Sequence, residues 1–153
     1  MCIRDRLGGV PADLHAVRLT VVGQVLVLPR AHALASRRSV RLRDLQGANL
    51  IVPPAGRPHR ELLARLLQAE SVSWQPSLEA DGWELMLRFA QLGFGLTVVN
   101  ACCRIPKGLV AVPLQGYPPL EYHLFRAADR PPSVHAQRLW NALLAQADHW
   151  KNA

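Results

Sequence analysis

Residues 83–100, WELMLRFAQLGFGLTVVN, constrain the fold more than any other stretch. They read as an amphipathic helix, a glycine-framed turn at Gly93-Phe94-Gly95, and a short apolar strand. A helix that stops on glycine and feeds directly into a buried strand is half of a parallel α/β unit. Such units hold ligands at the loops that fringe the sheet rather than inside a closed core. The fold class expected is therefore α/β, and any ligand site should be sought among loops.

The flanking sequence extends the pattern. Residues 14–20 alternate weakly and residues 21–28 are apolar and β-branched, so both read as strands, the second ending at Pro29. Residues 39–47 read as one helical turn capped by Ser39 and stopped by Gly47. A buried strand over 49–53 leads through the loop 53–57 into a helix opened by Pro58, with Leu62, Leu63, Leu66 and Leu67 on one stripe. Residues 72–80 read as a strand that Pro76 marks as an edge or a bulge. Asp81 is placed to cap the helix that follows. Strands are expected over 96–99, 109–114 and 121–126, and a last helix capped by Ser133 runs to about residue 149. Residues 47–114 thus hold nearly a complete α/β lobe, and the flanks 14–29 and 115–149 read as two returning pieces of a second.

Composition excludes several classes. A hydrophobic content of 50% supports a packed core, and no apolar run approaches the roughly 18 residues of a membrane span. Arg4, Asp5 and Arg6 interrupt any signal sequence, so a cytoplasmic protein is expected. Cys2, Cys102 and Cys103 give no disulfide framework. The adjacent pair is a poor bridge without metal-ligand spacing, which leaves small buried thiols in a reducing compartment. The net charge of +7 lies wholly in residues 1–65, which carry eleven Arg against four acidic residues, densest at Arg37, Arg38, Arg41 and Arg43. This reads as a solvated basic face able to attract anions. GxSxG, HExxH and P-loop motifs are absent, and the four tryptophans do not form a stacking platform by spacing. Neither an enzyme nor a metal or cofactor protein is expected.

Candidate binding residues lie on two loops. Pro54-Ala-Gly-Arg-Pro-His59 precedes a helix, whose free N–H groups and dipole favour an anion. Gly56, Arg57, Pro58 and His59 form this candidate site, with Arg57 or Arg60 able to clamp a carboxylate. Pro58 removes one donor. On the other loop, Gly93 would let backbone approach a ligand and Phe94 would supply an apolar wall. The competing reading makes Gly93 a helix cap and Phe94 a core residue.

Several landmarks in order resemble the effector-binding domain of LysR-type transcriptional regulators. They are His32-Ala33-Leu34-Ala35, then Val40-Arg41-Leu42 and Asp44-Leu45-Gln46-Gly47, then NLIVPPAGRPHRELL, WELMLRFAQLGFGLTVVN and KGLVAVPL. Ala33 and Asn100 depart from the family pattern, which favours proline at both places. The resemblance covers roughly residues 14–146. It implies a type 2 periplasmic-binding-protein-like fold: one complete α/β lobe over 31–114, and part of a first lobe over 7–30 and 115–153. Residues 1–6 resemble a translated adapter fragment and are set aside from fold reasoning.

The same resemblance implies a small, anionic effector bound between two lobes, with Pro29 near the hinge. It also implies a homodimer or tetramer, and DNA contacts made only through a missing N-terminal helix-turn-helix. On this reading the chain is a truncated sensor; the alternative is a solute-binding protein of the same fold.

Overall fold

A computed structural model describes residues 2–6 and 13–150. The strands are β1 (Cys2–Arg6), β2 (Leu14–Val22), β3 (Gln24–Pro29), β4 (Val40–Arg41), β5 (Ala48–Val52), β6 (Trp74–Glu79), β7 (Leu96–Asn100), β8 (Leu109–Gln115) and β9 (Leu120–Ala127). The helices are α1 (Pro58–Ala69), α2 (Trp83–Gln91) and α3 (Val134–Trp150), with a 3-10 turn over Leu42–Leu45. The chain divides into two compact units, passing between them at Val22/Gly23 and Pro118/Pro119.

The first unit is an antiparallel three-stranded sheet, ordered β1-β9-β2, with α3 packed on it. Leu19, Leu124, Trp140 and Ala147 form its core. Ser133 caps α3 by accepting the Ala136 N–H at 3.2 Å. Residues 2–6, set aside above, form β1 and pair with β9 from Cys2↔Phe125 to Arg6↔Glu121.

The second unit is a six-stranded sheet, ordered β4-β8-β3-β7-β5-β6. Strands β5, β6 and β7 are mutually parallel, linked through α1 and α2. Strand β3 runs antiparallel between β7 and β8. Period-two alternation decides which side chain meets which helix. Leu26, Leu28, Leu50, Val52 and Val98 face the cluster that holds Leu63 and Leu67 of α1. Val25, Val27, Ile51 and Val99 face the cluster that holds Met86, Leu87 and Ala90 of α2. One helix covers each face, so the central strands are apolar on both sides, as parallel sheets require.

Three local expectations change. Residues 21–28 are not one strand: Gly23 separates β2 from β3, and β3 belongs to the second unit's sheet. Ser39 does not cap the turn after it. Asp44 reaches back to the Arg41 N–H at 2.7 Å, and this bond, with Arg37 alongside, holds the Asp44 carboxyl below its usual range. Asp81 does not cap α2 either; Gly82 occupies the cap without a side-chain bond. Pro76 behaves as expected, lying on the edge strand beside a register shift against β5.

Candidate functional site

In a β-α-β unit the helix runs back against the strands, so its N-terminus lies at their carboxyl edge and its C-terminus at their amino edge. This rule separates the residues that the sequence placed together. Gly56, Arg57, Pro58 and His59 follow β5 and sit at the carboxyl edge with the start of α1. Gly93 and Phe94 follow α2 and precede β7, at the amino edge. Pro29 ends antiparallel β3 opposite Leu109, the first residue of β8, so it also lies at the amino edge. The true companions of the 53–59 loop are Asp81, Gly82 and Trp83 at the start of α2.

The loop itself is a tight turn. Arg57 N–H donates to the Pro54 carbonyl at 3.3 Å, and Gly56 takes φ 81° at the position where such a turn needs a left-handed residue. The expectation of free donors is only partly met, because Gly56 N–H already donates to the Glu61 carboxylate at 2.9 Å. Arg57 forms an ion pair with Asp81, and both side chains are more than half exposed. Arg60 is held differently. Its guanidinium stacks 4.8 Å from the Trp74 ring centre and lies 3.8 Å from Glu79, with its side chain only 14% exposed. Of these two arginines, Arg57 is the exposed one and Arg60 the packed one.

His59 points inward. Its Nε2 lies 3.2 Å from the Val98 carbonyl and must carry the proton, since a carbonyl only accepts. Nδ1 then accepts from the Tyr117 hydroxyl at 3.0 Å. Trp83 packs edge-on at 4.8 Å between ring centres. One imidazole thereby ties the loop to β7, to α2 and to the segment after β8. Burial raises the Tyr117 hydroxyl well above its usual value, which keeps it a donor at all ordinary pH.

At the same edge, Gln24 Nε2 donates to Asn100 Oδ1 at 2.9 Å in a buried pair. Gln24 is 3% exposed, and its Oε1 has no hydrogen-bond partner. Asn100 is the residue that stands where the family pattern has proline, and it builds this pair. Sequence reading missed Gln24, Asn100, Asp81, Trp83 and Tyr117. Only Asp81 and Trp83 carried a signal, through the direction of α2.

The amino edge is a closed backbone structure. Gly93 N–H donates to Ala90 and Phe94 N–H to Phe89, both at 3.1 Å, and the two phenyl rings meet edge-on at 5.7 Å. This is the glycine-terminated helix end with its accompanying apolar contact. Gly93 is the cap, at φ 84°. Phe94 is 52% exposed, so it is neither a core residue nor part of the opposite edge. A Cβ on Gly95 would stand 2.6 Å from Ser77 Oγ and 2.7 Å from the Asn49 carbonyl. The thiols also depart from expectation: Cys102 is exposed and Cys103 half-buried. Among the described residues no group of three or more His, Cys, Asp or Glu is placed to hold a metal ion, and no helix is long and apolar enough to cross a membrane.

A doubly wound sheet that gathers polar side chains at its strand ends, in a chain with a second compact unit, is a periplasmic-binding-protein-like fold. The chain belongs to the LysR substrate binding domain family, whose model matches residues 2–148. It is 28% identical over 130 residues to the transcriptional activator protein LysR of Escherichia coli K12, covering 83% of this chain and 42% of that protein. The regulatory domain of CcmR from Synechocystis PCC6803, solved in complex with 2-PG, superposes with a TM-score of 0.78 at 19% identity, over 95% of this chain and 72% of that one. The effector binding domain of QuiR, solved with shikimate, gives 0.70 at 15% identity, over 90% and 66%. The reduced OxyR regulatory domain from Pseudomonas aeruginosa gives 0.70 at 16%, over 95% and 70%.

Proposed function

We propose that this chain senses a small organic anion at the carboxyl edge of its six-stranded sheet, and that binding there resets DNA contacts made by a helix-turn-helix elsewhere in a longer, cytoplasmic regulator. The observation that carries the reading is Arg57: a guanidinium at a helix start, more than half exposed, paired with an equally exposed carboxylate. A bidentate carboxylate ligand would replace Asp81 at little cost, because exposed ion pairs are weak. Glu61 and Asp81 set two carboxylates against the loop, which favours an anion that also carries hydroxyl or ammonium donors. QuiR with bound shikimate, a hydroxylated carboxylate, fits that description. Gly56, Pro58 and His59 shape the loop; Pro29, Gly93 and Phe94 act at the amino edge and not on this ligand. Assembly as a homodimer or tetramer would transmit the change. The family match favours this regulator over a solute-binding protein of the same fold.

The test is a thermal-shift and calorimetric screen of small hydroxy and amino carboxylates, shikimate included, followed by Arg57→Ala. A carboxylate should bind, and the variant should weaken it tenfold or more while its melting temperature stays within about one degree of wild type. Undiminished affinity in Arg57→Ala would remove Arg57 from the site.

A further inference from the structure

Cys102 and Cys103 follow β7 after Ala101, at the carboxyl edge. Along a strand, neighbouring side chains point to opposite faces. Here the strand has ended: Cys103 N–H donates to the Asn100 carbonyl at 2.9 Å, closing a tight turn that carries both cysteines. Cys102 is exposed, while Cys103 packs against the cluster that includes Met86, Leu87 and Val99. Burial, reinforced by the neighbouring thiol, pushes Cys103 up to about 11. At neutral pH it is a thiol, which makes it a poor target for peroxide or alkylating agents. A disulfide fits the pair badly as well. Adjacent Cα atoms are about 3.8 Å apart, below the usual disulfide range of roughly 4.4–6.8 Å. A bridging atom between the sulfurs adds a ring member and relieves that constraint. A tetrahedral ion such as zinc would need further ligands, and no group of three donors exists among the described residues.

We propose that Cys102 and Cys103 form a two-thiol binding site for a trivalent arsenical. The ligand class is a hydrated monosubstituted species, R–As(OH)2. Two As–O bonds break and two As–S bonds form; each thiol proton leaves with a hydroxide as water, and arsenic stays trivalent throughout. Exposed Cys102 exchanges first. Cys103 then closes the ring intramolecularly, at high effective concentration, despite its burial. The turn is also tied to the point where the chain enters this unit, since Ala101 N–H donates to the Gly23 carbonyl at 2.9 Å.

The test uses phenylarsine oxide on the whole chain, read by intact mass after excess reagent is removed. Wild type and Cys2→Ser should retain one adduct through a 2-mercaptoethanol challenge and release it to dithiothreitol. Cys102→Ser and Cys103→Ser should each lose at least tenfold of the retained adduct. Tryptic mapping of the wild-type adduct to residues 89–104 provides a second reading that needs no variant to fold. Equal retention in the serine variants, stripping of wild type by the monothiol, or an adduct mapped elsewhere would overturn the proposal.

Discussion

The two edges of the six-stranded sheet are built from similar material and do opposite things. Each has a loop with a left-handed glycine, Gly56 on one and Gly93 on the other, and each joins a strand to a helix. At the amino edge every donor that ends α2 finds a backbone carbonyl within three to five residues. At the carboxyl edge the partners come from far away in sequence: Gln24 with Asn100, His59 with Tyr117, Arg57 with Asp81. One edge is closed by local geometry. The other is assembled from distant side chains and leaves a cation exposed and a buried acceptor without a partner. A glycine-rich loop is thus weak evidence for a ligand. The stronger evidence is polar capacity that the fold brings together and does not use up.

The largest effect that separates the edges should come from Gly95→Val. The Cβ alone meets Ser77 and the Asn49 carbonyl inside contact distance, and backbone cannot move aside as a side chain can. Overpacking of this kind costs about 3 kcal/mol, or roughly 5–10 °C in melting temperature. Ligand affinity at the carboxyl edge should survive below the transition. A melting curve matching wild type would mean that the amino edge is not tightly closed, and the contrast would fail. His59→Ala should come next, at about 2 kcal/mol, because it leaves the Val98 carbonyl and the Tyr117 hydroxyl without their imidazole partner. Denaturant titration would measure it. A loss under about 0.5 kcal/mol would show that the carboxyl edge is not held together by that ring.

The difference between the edges also marks what could be read from the sequence. The apolar character of β5 and β7 was legible in their short hydrophobic runs, and α1 and α2 in their helical spacing, because these signals are local. Gly93 as a helix cap was legible for the same reason. Gly93 and Phe94 lie at the opposite edge from the 53–59 loop, because α2 runs against the strands and its glycine end does not share an edge with the start of α1. The His59–Tyr117 and Gln24–Asn100 pairs span 58 and 76 residues, and no spacing rule connects such positions. The adjacency of the cysteines was visible, but their exposure was not, since it depends on β7 ending at Asn100 rather than running on.

The smallest effect on stability should give the sharpest account of the carboxyl edge. Asp81 and Arg57 are both more than half exposed, so their pairing contributes under about 0.5 kcal/mol once solvent and salt screen it. Asp81→Ala should leave the melting temperature almost unchanged. It should nevertheless raise affinity for a carboxylate a few-fold, because Arg57 no longer exchanges one carboxylate partner for another and one repelling charge is gone. The gain should shrink as salt is raised. Calorimetry on Asp81→Ala, Arg57→Ala and the double variant separates the two contributions: with Arg57 removed, the Asp81 substitution should lose most of its benefit. A fall in affinity in Asp81→Ala would reverse the assignment, making Asp81 the support that aims Arg57, or itself the contact for a donor on the ligand.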